Sequence, residues 1–141
     1  MNAAAIFLPA CAQVLLTGAV MTRMYIVRIG EMRARSLDPQ RLATSQAAVG
    51  QLSKVAPADN FRNLFEIPVL FFVICPALYV TGAVTTVQLV LAWAFVALRC
   101  VHSVIHVGYN RVVHRFAAYI LSSVCVFAMW LLFALHLWRG A

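Results

Sequence analysis

Three stretches of this chain carry no Asp, Glu, Lys or Arg: residues 3–22, 67–98 and 116–135. Runs of this kind decide the environment before any motif is read. A bilayer is crossed by about 20 consecutive apolar residues in a helix, since lipid offers backbone N–H and C=O groups no outside partner. The middle run is too long for one such helix and too short for two unless flanking turns are added. The stretch 81–86, with Gly82 as its turn residue, supplies the break. The pattern therefore predicts four helices in a single all-α membrane domain over residues 1–141. Their bounds are read at about 3–34, 60–81, 84–109 and 112–138.

Composition agrees. The chain is 64% hydrophobic and 11% charged, with a mean hydropathy of +0.89. Soluble domains are about half apolar and a quarter charged. No basic residue precedes the first apolar run and that run outlasts a signal peptide, so it is read as a retained span. Pro39 is expected to end the first helix, Asp59 or Asn60 to cap the second, and Pro68 and Pro76 to bend it. The four cysteines, Cys11, Cys75, Cys100 and Cys125, lie in apolar spans without a Cys-x-x-Cys pair and read as small, buried apolar filler.

Basic residues cluster on two loops. Arg28, Arg33, Arg35, Arg41, Lys54 and Arg62 flank the first, and Arg111 and Arg115 the third. The positive-inside rule puts both loops in the cytoplasm and both termini outside, as for a protein of a bacterial inner membrane. The net charge of +7 is then a topology signal and no nucleic-acid partner is expected.

The ionisable residues within the spans are more telling, because a charge inside a bilayer segment is costly and seldom idle. Arg62, Asn63 and Glu66 open the second helix. Arg99, His102 and His106 form one stripe near the end of the third, and Arg115 and Tyr119 open the fourth. All three stripes fall at one membrane edge. Three arginines face one acid, so Glu66 is expected to pair with Arg99 or Arg62, and the remaining positive charge calls for an anion. His102 and His106 also have the spacing of a metal pair, but no third ligand stands nearby and Arg99 would repel a cation. No metal is expected. Haem held with His114 or His136 as axial partner is disfavoured, and His136 falls at the opposite membrane face from His106.

Arg62-Asn63-Leu64-Phe65-Glu66-Ile67-Pro68 resembles a signature of the MAPEG family, the membrane-associated proteins in eicosanoid and glutathione metabolism. Arg99, His102, His106, Arg115 and Tyr119 resemble its second signature. The resemblance implies a four-helix bundle assembling as a homotrimer, with glutathione as co-substrate in sites between subunits. It implies that Arg33, Arg62, Asn63, Glu66, Arg99, His102, His106 and Tyr119 hold glutathione, and that Arg115 is catalytic and stabilises the thiolate. The second substrate would be a lipophilic small molecule arriving from membrane lipid. Two positions depart from the pattern. His106 stands where well-studied members have Tyr, and Phe116 stands where the prostaglandin synthase has a hydroxyl. Phe116 cannot donate a hydrogen bond, which argues against a prostaglandin-type isomerase. A glutathione transferase or peroxidase is the reading that results; its alternative is a non-catalytic module that binds lipid or serves a larger membrane complex.

Overall fold

A computed structural model describes residues 2–38, 40, 44 and 51–140. A 3-10 turn (Ala3–Ile6) leads into α1 (Phe7–Ala34). Then follow α2 (Ala56–Asn63), α3 (Ile67–Val80), α4 (Thr86–Val107) and α5 (Val112–Gly140). Among the described residues there are 4 spans long and apolar enough to cross a membrane, with α2 and α3 together forming the second, Ala56–Val80. Among the described residues every regular element is helical.

The second span differs from its expected form in two ways, and proline explains both. It starts at Ala56 rather than near residue 60, because Pro57 lies in its first turn, where a missing N–H costs nothing. The Ala58 and Asp59 N–H groups both donate to the Val55 carbonyl. Asp59 and Asn60 are therefore inside the helix and neither caps it. The helix then breaks at residues 64–66, since Pro68 has no N–H for the Leu64 carbonyl and its ring crowds that carbonyl. Pro68 thus divides the span rather than bending it, while Pro76 lies inside a continuous α3.

Two helix ends close in the same way. Gly82, at φ +67°, follows α3; its N–H donates to Tyr79 O, and the Ala83 N–H donates to Leu78 O at 2.9 Å. This double closure satisfies the last carbonyls and needs a left-handed residue, which Gly supplies without strain. Thr85 Oγ1 then caps α4 by accepting the Gln88 N–H at 3.2 Å. At the end of α1 the left-handed residue is Ser36, at φ 49°. Its closure, Leu37 N–H to Met32 O at 3.0 Å, stops the helix before Pro39, which lies outside the described residues, as does Arg41.

Glu31 ties α1 to the segment entering α2. Its Oε1 accepts the Ser53 N–H at 2.8 Å, the Ser53 hydroxyl at 2.7 Å and Arg35 Nη1 at 3.1 Å. Its Oε2 accepts the Lys54 N–H at 3.2 Å. The apolar core lies towards the other end of the bundle. There Phe71 stacks on Phe95 at 4.4 Å among Ile6, Ile74, Leu78, Ala92, Val126 and Met129. Most remaining large apolar side chains, such as Leu15, Val80 and Trp138, face outward, as lipid permits. Cys75 is buried, but Cys11 is exposed, so the reading of all four cysteines as interior filler fails there. Cys11 falls on the outward face of an α1 that touches the bundle along one side only.

Candidate functional site

The buried face of α4 runs Gln88, Ala92, Phe95, Val96, Arg99, His102, Ser103 and His106. It is one helical stripe at spacings of three and four. Its first half is core. Its second half continues the same inward direction but is polar, so folding carries Arg99 and both histidines into the bundle. Arg99 lies roughly 12 Å inside the end of α4, at about 1.5 Å per residue. It is completely buried.

A buried guanidinium needs acceptors. Arg99 Nη2 donates to Asn63 Oδ1 at 2.7 Å and to the Asn63 carbonyl at 3.0 Å. Its Cζ stands 5.7 Å from the centre of the Tyr119 ring, close enough for a cation–π contact. Asn63 in turn donates from Nδ2 to Glu66 Oε2 at 3.0 Å. The expected Glu66–arginine pair is therefore replaced by a relay, Glu66 to Asn63 to Arg99. The ion pairs among the described residues are Arg35–Glu31 at 3.1 Å and Arg62–Asp59 at 3.8 Å. The reason lies in the break after α2. It ends the helix at Asn63, whose carbonyl becomes available to Arg99, and it leaves Glu66 at the exposed surface.

His102 Nδ1 lies 2.8 Å from the Arg115 carbonyl. A carbonyl only accepts, so Nδ1 carries the proton and the buried Nε2 is left as an acceptor. The His106 ring meets His102 edge-on at 5.4 Å. Arg115 Nη1 donates to Asn110 Oδ1 at 2.8 Å across the turn between α4 and α5. That turn is tight. Asn110 is left-handed at φ 50°, and a Cβ on Gly108 would fall 2.7 Å from the Val104 carbonyl oxygen. Gly108 and Asn110 thus let α5 start at once and bring Arg115 and Tyr119 back beside α4.

Asn63, His102, His106, Arg115, Phe116 and Tyr119, with Val112, line one cavity of about 230 Å³. Arg99 and Glu66 stand behind it through Asn63. Two of the expected residues are elsewhere. Arg62 is exposed and turned to Asp59. Arg33 lies on the outward face of α1, in a groove with Tyr25 and Gly30. Sequence reasoning missed Asn60 as a site-supporting residue: it is fully buried, and its Oδ1 accepts the Ser103 hydroxyl at 3.3 Å. Its spacing of three from Asn63 was the available signal.

Several buried polar atoms around the cavity have no protein partner. They are Arg99 Nε and Nη1, His102 Nε2, His106 Nδ1 and Asn60 Nδ2. Buried polar groups are nearly always satisfied, so these atoms call for partners from water, a ligand or another chain.

Residues 6–135 match the model of the MAPEG family. The chain belongs to the MAPEG family. No curated protein and no solved structure gives a significant match. Membership and the spans together mark the chain as a membrane protein of a family that includes glutathione transferases and related proteins.

Proposed function

We propose that this MAPEG protein is a glutathione-dependent transferase or peroxidase acting on lipophilic electrophiles at the membrane edge. The observation that carries the reading is the convergence of Asn63, His102, His106, Arg115 and Tyr119 on one cavity backed by buried Arg99. Glutathione has two carboxylates, one ammonium and a thiol. Arg115 and His106 offer donors for its anionic groups, and Arg99 adds positive charge from behind the cavity. Glu66, held by Asn63, offers an acceptor for the ammonium. Arg115 keeps its charge at any working pH and would favour the thiolate, the nucleophilic form. In a transferase the thiolate sulfur attacks the electrophilic carbon, and the displaced group leaves with the electron pair of the broken bond.

A homotrimer fits the same geometry. Ligand pockets usually measure about 300–1,000 Å³, so a cavity of about 230 Å³ on one chain supports a site that a second subunit completes. Arg33 and Arg62 point away from this cavity and would serve that of a neighbouring subunit. Cytoplasmic placement of the site follows from the basic first and third loops, with both termini outside.

One observation favours the alternative, a non-catalytic lipid-binding or accessory module. Arg115 is held by Asn110 and so has a structural duty of its own. Calorimetry of glutathione binding to the detergent-solubilised protein separates the two. Binding that weakens in Arg99→Leu supports the transferase reading, and absence of binding in wild-type protein overturns it.

A further inference from the structure

Another cavity, of about 350 Å³ and mixed lining, lies at the opposite end of the bundle. It is formed where the N-terminus of α4 meets the last turns of α5. Leu132 and Leu135 give it an apolar wall, and Thr85, Gln88, His136 and Arg139 give it a polar end. This end of the bundle is also where the Phe7 ring meets Tyr79, so it is the membrane edge furthest from the glutathione site.

Two observations point to its occupant. The first is charge. The chain has four acidic residues, Glu31, Asp38, Asp59 and Glu66, and all belong to the other end. Arg139 therefore faces no acidic side chain of this chain, and beside it stand the His136 ring and the first turn of α4, whose backbone dipoles favour an anion. The second is Gln88. It is only 2% exposed, and its Nε2 donates to the Met129 carbonyl at 3.1 Å. That bond fixes the amide orientation, because the reverse would set two oxygens together. Gln88 Oε1 is thereby committed as an acceptor on a cavity-lining side chain, and it has no partner. A buried acceptor calls for a donor.

We propose that this cavity binds an anionic phospholipid whose headgroup also carries hydroxyls, of the phosphatidylglycerol type. The phosphate lies against Arg139, His136 and the start of α4. A headgroup hydroxyl reaches towards Gln88 Oε1, and an acyl chain follows the leucine wall into the membrane. A choline headgroup has no hydrogen-bond donor for Gln88 and no net negative charge for Arg139.

The test is native mass spectrometry of the detergent-solubilised full chain with phosphatidylglycerol or phosphatidylcholine of identical acyl chains. Wild-type protein should retain phosphatidylglycerol in preference by about fivefold or more, the ratio expected from one basic residue near a lipid phosphate. The double variant His136→Gln, Arg139→Gln, altered at two exposed positions, should fold and lose that preference. Added glutathione should leave it unchanged, because glutathione belongs to the other end. Equal retention of the two lipids by wild-type protein overturns the proposal. So does a preference that survives in the double variant, or one abolished by glutathione. Displacement of the lipid by millimolar inorganic phosphate also overturns it, because the occupant would then be a free anion.

Discussion

Replacing Asn63 by Ala tests the relay at its centre. The substitution removes the Oδ1 acceptor at 2.7 Å from a completely buried guanidinium and the Nδ2 donor to Glu66. A hydrogen bond to a charged group is worth about 1.5–3 kcal/mol, and an exposed one about 0.5–1 kcal/mol. The Asn63 backbone carbonyl still accepts from Arg99 at 3.0 Å, so the charge is not stranded, and the loss should stay below the about 3–5 kcal/mol of a broken buried ion pair. The expected destabilisation is about 2–3 kcal/mol. It can be read from unfolding in mixed micelles of a mild detergent with increasing sodium dodecyl sulfate. Glu66→Gln, in contrast, alters only an exposed acceptor and should cost less than about 1 kcal/mol. If Glu66→Gln proves the more damaging of the two, Arg99 depends on that carboxylate directly and the relay is wrong.

Three further outcomes follow from the same geometry. Arg115→Ala should sharply reduce turnover with a model electrophile such as 1-chloro-2,4-dinitrobenzene while leaving glutathione affinity within a few fold; the ultraviolet absorbance of bound thiolate should fall with it, and full retention of that absorbance would make Arg115 structural. Gly108→Ala places a methyl 2.7 Å from the Val104 carbonyl oxygen and should lower stability by about 1–3 kcal/mol, the usual cost of overpacking. A melting temperature equal to wild type would show that the turn relaxes freely. In mild detergent the protein should run as a trimer by native mass spectrometry, and a solely monomeric species would remove the shared-site argument.

The membrane character, the spans and the Gly82 turn were legible in the linear chain, because lipid constrains composition and length residue by residue. The ionisable stripes were legible too, since Arg99, His102 and His106 repeat at helical spacing. The partner of Arg99 was not. Spacing reports which residues share a face, but it does not report that Pro68 would interrupt the second span at residues 64–66. That single break exposes Glu66, leaves the Asn63 carbonyl with the Glu66 N–H at 3.4 Å and room for Arg99, and makes Asn63 the bridge. Nor could periodicity show that Arg62 and Arg33 turn away from the cavity, because the direction of an exposed arginine depends on its neighbours. For Arg62 that neighbour is Asp59.

Gln88 shows the same division at the other end. As a lone amide near a helix start it carries no signal in sequence. It gains meaning when α5 brings the Met129 carbonyl against its Nε2 and leaves its oxygen without a partner beside the cavity shared with Arg139. The order of residues determined that this chain lives in a membrane and which side chains line up along each helix. Only the packing of helices far apart in sequence decided which polar atoms meet and which are left for a ligand, because hydrogen bonds form between atoms brought within about 3 Å whatever their separation along the chain.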